Sequence, residues 1–158
     1  YIGDMVKAVL AAMVVRLIFG QSHADIIMVL VLYSGFGVII GHNFPFYLGF
    51  KGGKGIAASS GVIVALGYWP LILLGFCTFM IVTIISRYVS LGSILVVISF
   101  LIQAIVFNHM GLLGVSGNYA VEFDILAACF TAMAIWRHRA NIKRLLSGTE
   151  NKFGQKAK

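Results

Sequence analysis

The stretch VSLGSILVVISFLIQAIVF, residues 89–107, contains no charged side chain. A helix rises about 1.5 Å per residue, so a run of this length crosses the roughly 30 Å of hydrocarbon in a bilayer. Uncharged apolar runs of this length are uncommon in soluble domains. This stretch therefore predicts a transmembrane helix and decides the fold class.

The rest of the chain repeats the pattern. Of its 158 residues 60% are hydrophobic and only 11% are charged, whereas soluble domains average about 25% charged residues. Further apolar spans cover residues 5–19, 26–40 and 123–136, and the run 56–86 makes two crossings if the chain turns at residues 67–70, where glycine and proline end helices. Its first arm, 56–66, is short. We predict an all-α, polytopic integral membrane helix bundle with about six crossings, forming a single membrane domain over residues 1–158.

The charge distribution predicts the orientation. The formal charge of +7 would suggest nucleic-acid binding in a soluble protein, but here the basic residues lie in short clusters between apolar spans, as the positive-inside rule expects. The loop 42–55 and the C-terminal segment 137–158 are basic and are predicted to be cytoplasmic. The loop 108–119 contains neither lysine nor arginine and is predicted to lie outside. No nucleic-acid partner is expected.

The loop GHNFPFYLGFKGGKGIA, residues 41–57, has the composition of a phosphate site. Gly52, Gly53 and Gly55 let backbone N–H groups converge where a helix begins, and Lys54 adds a cation. The loop is not a Walker A motif, which would need glycine in place of Leu48 and a hydroxyl residue after the lysine. On composition alone, a basic loop that only sets the topology is an equally good interpretation.

Four segments together resemble one known family: DMVK at residues 4–7, the loop 41–57, SRYVSLGS at 86–93 and WRHRANIKRLLSGTENK at 136–152. They are similar to the PlsY family of bacterial acyl-phosphate:glycerol-3-phosphate acyltransferases. The family's motif GHxFPxFxxFKGGKGVAT is matched at nearly every fixed position, with Ile56 in place of valine and Ala58 in place of threonine. The family fold has seven helices, and its first helix and first conserved loop, SGNxGxTN, are expected to be missing from this chain.

The resemblance implies a reaction. The 1-hydroxyl of glycerol 3-phosphate would attack the carbonyl of an acyl phosphate, giving 1-acylglycerol 3-phosphate and inorganic phosphate for phospholipid biosynthesis. It also implies a multi-pass protein of the bacterial plasma membrane with a cytoplasmic active site, coupled functionally to an enzyme that makes acyl phosphate. No cofactor is implied, and five acidic residues without a cluster predict no metal site.

The resemblance also implies site residues. The predicted catalytic residues are Lys54 and His138; predicted substrate-binding residues are Gly52, Gly53, Lys54, Gly55, Ser90, Ser93, His138 and Asn141; predicted supporting residues are His42, Lys51, Arg87 and Glu150. The glycines and Lys54 are expected to hold the acyl phosphate, and His138 with Asn141 the glycerol 3-phosphate. Whether His138 also accepts the hydroxyl proton stays open.

The residue types by themselves leave a simpler interpretation at each position. Ser90 and Ser93 have the positions of ordinary helix-capping residues. His138 between two arginines fits a basic membrane-surface cluster, and Glu150 fits a solvated tail. His42 fits a residue that only orients the loop, and Asp4 with Lys7 fits an interfacial ion pair.

The rival function is a transporter or flippase subunit for a phosphorylated lipid. Such a protein needs a polar path through the membrane. Arg16 is the main charged candidate inside the spans, whereas the phosphate-type residues gather at one face. This asymmetry favours an enzyme.

Overall fold

The computed structural model describes residues 1–154, and within that range it consists of seven α-helices joined by turns, without a β-strand. Lys156 and Lys158 of the predicted basic tail lie outside the described residues. The helices are α1 (Ile2–Phe19), α2 (Ile27–Asn43), α3 (Ile56–Leu66), α4 (Trp69–Ser86), α5 (Val89–His109), α6 (Ala120–Arg137) and α7 (Arg139–Leu146).

Among residues 1–154, four segments are long and apolar enough to cross a membrane: Ile27–Leu48, Trp69–Ser86, Val89–His109 and Gly117–Arg137. The predicted all-α polytopic class is confirmed. Of the other two predicted crossings, α1 carries Asp4, Lys7 and Arg16, and α3 is a shorter apolar helix of 11 residues. The count of six crossings therefore stays a prediction.

The helix boundaries follow local sequence signals. The short arm predicted at residues 56–66 is α3, and Gly67 ends it with a left-handed φ of 76°. Pro70 lies in the first turn of α4, where its missing N–H has no helical partner to lose. His138 is the junction between α6 and α7, so it and Asn141 do not lie on one continuous helix.

The bundle is held by close helix contacts around an aromatic core. α1 packs against α2 and α3, and α5 packs against α4 and α6. The rings of Phe100 and Phe130, both buried, lie with centroids 5.0 Å apart between α5 and α6. A Cβ atom on Gly61 would collide with the carbonyl of Met5, so this glycine lets α3 approach α1.

Arg16, a residue of the neighbouring helix α1, caps the C-terminus of α3. Its Nη2 atom donates to the carbonyls of Ala65 (3.1 Å) and Leu66 (3.3 Å), two of the carbonyls that have no helical partner at a C-terminus. Arg16 was the main charged residue available for a polar path in the transporter interpretation, and its side chain is bonded to backbone carbonyls instead. This contact also explains how a helix of only 11 residues ends among apolar neighbours.

Arg16→Leu is expected to destabilise the protein by about 1–3 kcal/mol, the typical penalty for leaving buried polar groups unpaired. Thermal unfolding of the detergent-solubilised protein measures the loss. Arg16→Lys is the matched variant, since it keeps the charge and one donor and should lose less. Equal unfolding temperatures for the wild type and Arg16→Leu would contradict the capping role.

Candidate active site

A cavity of about 890 Å³ lies where the loop 41–57, the start of α5 and the junction between α6 and α7 meet. Its polar wall comes from helix ends and loops: His42, Gly53, Lys54, Gly55, Ser90, Ser93, His138, Asn141, Glu150 and Asn151. Its apolar wall comes from the middle of α3 and α4 and from α5: Ile63, Val64, Ile72, Gly75, Phe76, Phe79 and Val96. One cavity therefore offers separate polar and apolar surfaces to a single ligand or pair of ligands.

The N-terminus of α3 is the anion-binding part of the polar wall. The N–H groups of Gly52 and Gly53 are already bonded, to the carbonyls of Asn43 (3.2 Å) and His42 (3.3 Å). Within residues 1–154, the N–H groups of residues 54–58 make no backbone hydrogen bond. The N–H groups of Gly52 and Gly53 are thus engaged inside the loop, and the open N–H donors are those of residues 54–58. The substrate-binding role of Gly52 and Gly53 stays a prediction.

Gly55 and Gly53 are both required by the packing of the loop, as is Gly52, where a Cβ would collide with the His42 carbonyl. Gly55, the N-cap of α3, has a φ of 82°, and a Cβ there would lie 2.9 Å from Oδ1 of buried Asn43. A Cβ on Gly53 would collide with the imidazole of His42. A side chain at either position would push the loop away from α2 and move the open N–H groups.

Arg137 clamps the same loop from α6. Its guanidinium donates to the carbonyl of Gly52 (2.7 Å) and twice to that of Gly53 (2.6 and 3.0 Å), and it lies 5.2 Å from the ring centroid of Phe44. Arg137 was not among the predicted site residues, because nothing in its position beside His138 indicated which carbonyls it would reach. Arg137 thus fixes the two carbonyls that directly precede Lys54 and Gly55, which line the cavity.

His138 is buried at 2% exposure. Its Nδ1 lies 2.8 Å from the carbonyl oxygen of Ala134, and since a carbonyl only accepts, Nδ1 carries the proton. Burial lowers the pKa of His138 below its ordinary value, although the Ala134 carbonyl acts in the opposite direction; the charge of Lys54 also lowers it. The imidazole is therefore neutral near pH 7, with Nε2 available as an acceptor. This does not fit a member of an exposed basic cluster.

Asn141 and Glu150 form a second acceptor position. The Asn141 amide nitrogen donates to Glu150 Oε1 (2.7 Å), and Arg144 Nε donates to Glu150 Oε2 (2.6 Å). A carboxylate only accepts, so this contact turns the amide and leaves Asn141 Oδ1 buried and without a hydrogen-bond partner among the described residues. The Glu150 side chain is only 8% exposed, so the solvated-tail interpretation was wrong. Burial opposes ionisation of Glu150, but the bonds from Asn141 and Arg144 outweigh it and lower its pKa.

The two serines differ. Ser93 Oγ donates to the carbonyl of Val89 (2.9 Å), which is the local bond expected of a helical serine. Ser90 Oγ is buried and has no well-aligned hydrogen bond within residues 1–154, but it lies close enough to the Glu150 carboxylate to help lower the pKa of that group. Ser90 therefore faces Glu150 and the cavity, whereas the Ser93 hydroxyl donates its proton within its own helix.

The residues predicted to support the site differ in how close they lie to the cavity. His42 Nδ1 lies 2.9 Å from Lys7 Nζ and 3.2 Å from Asp4 Oδ1, and the predicted ion pair of Asp4 with Lys7 is confirmed at 2.7 Å. The side chains of Lys51 and Arg87 are exposed and do not line the cavity. The Arg87 carbonyl accepts from the N–H of Phe153 (2.7 Å) and so holds the C-terminal segment across the turn between α4 and α5.

The chemistry of the site follows from these groups. Open backbone donors and Lys54 favour an anion, while His138 Nε2, Asn141 Oδ1 and Ser90 Oγ favour hydroxyl groups. The apolar wall favours a hydrocarbon chain. Within residues 1–154, no group of three or more His, Cys, Asp or Glu side chains is placed to hold a metal ion.

Comparisons with known proteins agree with this chemistry. A family model described as glycerol-3-phosphate acyltransferase matches residues 1–148. Curated glycerol-3-phosphate acyltransferases include those of Shouchella clausii, 39% identical with 78% of this chain and 57% of the relative covered, and Thermoanaerobacter sp., 37% identical with 97% and 68% covered. The chain thus spans about three fifths to two thirds of the length of these relatives.

Solved structures show the same arrangement of helices. Crystal structures of PlsY, an integral membrane glycerol 3-phosphate acyltransferase, match this chain at 34% identity and a TM-score of 0.76 in a lysophosphatidic acid form and in a glycerol 3-phosphate form. The match covers 96% of this chain and 69% or 68% of the PlsY chain. Identity at this level together with this TM-score indicates a shared fold over nearly all of the present chain.

Proposed function

This chain belongs to the glycerol-3-phosphate acyltransferase family, and from that premise we propose that it transfers an acyl group from acyl phosphate to the 1-hydroxyl of glycerol 3-phosphate. The products are 1-acylglycerol 3-phosphate and inorganic phosphate. One observation carries the proposal. A single cavity combines an anion-binding helix N-terminus, side-chain atoms that can accept hydrogen bonds from the hydroxyl groups of a ligand, and an apolar wall. Glycerol 3-phosphate and an acyl phosphate together need all three.

The phosphate end of the site is the N-terminus of α3. The N–H groups of residues 54–58 and the Lys54 ammonium bind phosphate oxygens, and the same donors stabilise negative charge that develops during acyl transfer. Ile63 and Val64 continue the cavity wall two turns along α3. An acyl phosphate with its phosphate at Gly55 would run its hydrocarbon chain along these residues.

The acceptor end receives the glycerol. His138 Nε2 and Asn141 Oδ1 accept hydrogen bonds from its hydroxyl groups, and Ser90 Oγ supplies a further polar contact. Glu150 acts through Asn141, since it sets the direction of the amide. Holding the 1-hydroxyl beside the acyl carbonyl makes the attack effectively intramolecular.

We place the reaction at the cytoplasmic face of a bacterial plasma membrane, because the site lies at the basic end of the bundle. Acyl phosphate is a reactive mixed anhydride, so a coupled enzyme that produces it is the expected partner. The rival lipid transporter gains no support from Arg16, which is bonded to the end of α3.

Phosphate release from palmitoyl phosphate tests the proposal. The complete protein, in detergent or vesicles, should release phosphate only when glycerol 3-phosphate is present, and mass spectrometry should find 1-palmitoylglycerol 3-phosphate. Glycerol serves as the matched acceptor that lacks the phosphate. Palmitoyl-CoA serves as the matched donor that carries the acyl group on a thioester. Neither compound should support turnover. Absence of release with both substrates, or equal use of palmitoyl-CoA, would overturn the assignment.

Arg137→Lys is expected to slow this reaction by about 10-fold, because one ammonium cannot replace a guanidinium that donates three bonds to two carbonyls. Arg139→Lys is the matched control: Arg139 contacts the Trp136 ring and carbonyl but not the loop. Steady-state kinetics with both substrates measures the effect. Equal rates for the two variants would show that the clamp on Gly52 and Gly53 is dispensable.

A further inference from the structure

An exposed apolar turn lies within the loop 41–57, just before its glycines and Lys54. In residues 46–50, here called the aromatic turn, the large side chains are Phe46, Tyr47, Leu48 and Phe50, exposed at 79%, 73%, 57% and 64%. They are consecutive apart from Gly49, so they form one patch. A contiguous apolar patch on a protein surface marks a contact with another apolar phase.

The aromatic turn has a defined backbone. Leu48 and Phe50 donate to the carbonyl of Pro45 (3.1 and 3.0 Å), Gly49 to that of Phe46 (3.2 Å) and Lys51 to that of Leu48 (3.2 Å). Backbone groups that are paired internally can enter a water-poor layer at little cost, whereas unpaired ones cannot. The turn is thus built to present side chains outward without leaving these donors unsatisfied.

Phe50 is a strained residue in this turn. Its φ is 62°, a left-handed value that is unfavourable for a bulky side chain. Its ring is largely exposed, so packing against residues 1–154 does not explain why a phenylalanine occupies the position. A favourable environment outside the described residues would compensate the strain.

The surroundings indicate which environment this is. The turn continues a candidate membrane span, Ile27–Leu48, and it is followed by exposed Lys51. Nearby at the end of α6, Trp136 is half-exposed and carries the Arg139 guanidinium 4.4 Å from its ring centroid. Aromatic rings beside basic side chains are typical of the layer where a helix leaves an anionic leaflet.

We propose that the aromatic turn inserts into the headgroup layer of the inner leaflet and holds the phosphate site at that depth. The turn is tied to the site through Gly52, which bonds to Asn43 and to Arg137. This consequence rests on the proposed function: the phosphate of a membrane-dissolved acyl phosphate lies in the headgroup layer, so the substrate meets the N-terminus of α3 without leaving the bilayer.

Depth-dependent fluorescence quenching tests the insertion. The complete protein is placed in phosphatidylglycerol-containing vesicles, with Tyr47→Trp introduced into a background whose other tryptophans are phenylalanine. Lipids brominated near the headgroup end of the acyl chain should quench this residue several-fold more than a tryptophan introduced by Thr149→Trp, an exposed polar position of the C-terminal segment. Lipids brominated near the chain end should quench it less than a tryptophan from Ile81→Trp, on the exposed face of α4.

Each other outcome overturns the insertion. Strong iodide quenching without lipid quenching would show a water-facing surface, suited to a soluble partner. Shielding from both quenchers would show that another part of the protein covers the turn. Phe46→Trp provides a second reporter if Tyr47→Trp does not fold. Quenching requires no substrate, so an inactive acyltransferase and a non-inserted turn give distinguishable results.

Discussion

Replacing His138 by asparagine is expected to slow acyl transfer by roughly 100-fold or more, the range in which a positioned side chain that handles a proton contributes. Nδ1 of this histidine is engaged with Ala134 and Nε2 is left as an acceptor inside the cavity. Asparagine can keep the hydrogen bond that Nδ1 gives to the Ala134 carbonyl, but it is too short to place any atom where Nε2 lies, so the basic ring nitrogen in the cavity is lost. The loss should be seen in kcat with both substrates saturating.

The pH profile separates a proton acceptor from a simple contact. Burial lowers the pKa of His138, while a free histidine titrates near pH 6.5. The active form is neutral, so activity should persist at pH 6.5 and be lost only as the pH falls through the lowered pKa of His138. Between about pH 6.5 and the lowered pKa of His138, the unfolded chain binds a proton that the folded chain does not, so the free energy of unfolding should decline as the pH falls through this interval.

The matched control is His23→Asn, in the turn between α1 and α2, where the imidazole contacts only exposed Ser22 and Phe19. It should leave both the rate and the pH profile unchanged. A His138→Asn variant that retains full kcat would remove His138 from the catalytic proposal. An unchanged acidic limb in that variant would assign the limb to another group, such as a substrate phosphate.

Lys54→Ala is expected to lower kcat/KM by about 100-fold, because it removes the only side-chain cation among residues 54–58, where the open N–H groups converge. Lys54→Arg keeps the charge and should retain more activity. KM is measured separately for acyl phosphate and for glycerol 3-phosphate. The substrate whose phosphate contacts Lys54 should show the larger rise in KM.

Lys51→Ala is the control for Lys54→Ala. It makes the same charge change three residues earlier in the same loop, but the side chain is exposed and outside the cavity. The control should remain close to wild type. Equal losses in the two variants would mean that the loop acts through general positive charge, and the specific phosphate site would then be wrong.

Local properties of the chain were enough for much of this result. Long apolar runs predict α2, α4, α5 and α6, since hydropathy is a property of each segment separately. Gly67 and Pro70 mark the turn after α3 because their backbone limits do not depend on context. The motif resemblance selected His138, Asn141 and Lys54, which the structure brings to one cavity.

Only the tertiary structure decided how those residues are used. The open donors shift to residues 54–58 because α2 carbonyls take the N–H groups of Gly52 and Gly53. Ser90 and Ser93 look equivalent in sequence, yet only Ser93 bonds within its helix. Arg137 reaches Gly53 from 84 positions away, and Arg16 caps α3 from 49 and 50 positions away. Hydropathy and turn propensity are properties of neighbouring residues, whereas a hydrogen-bond partner is chosen by which helices pack together, and that is settled only when the whole bundle forms.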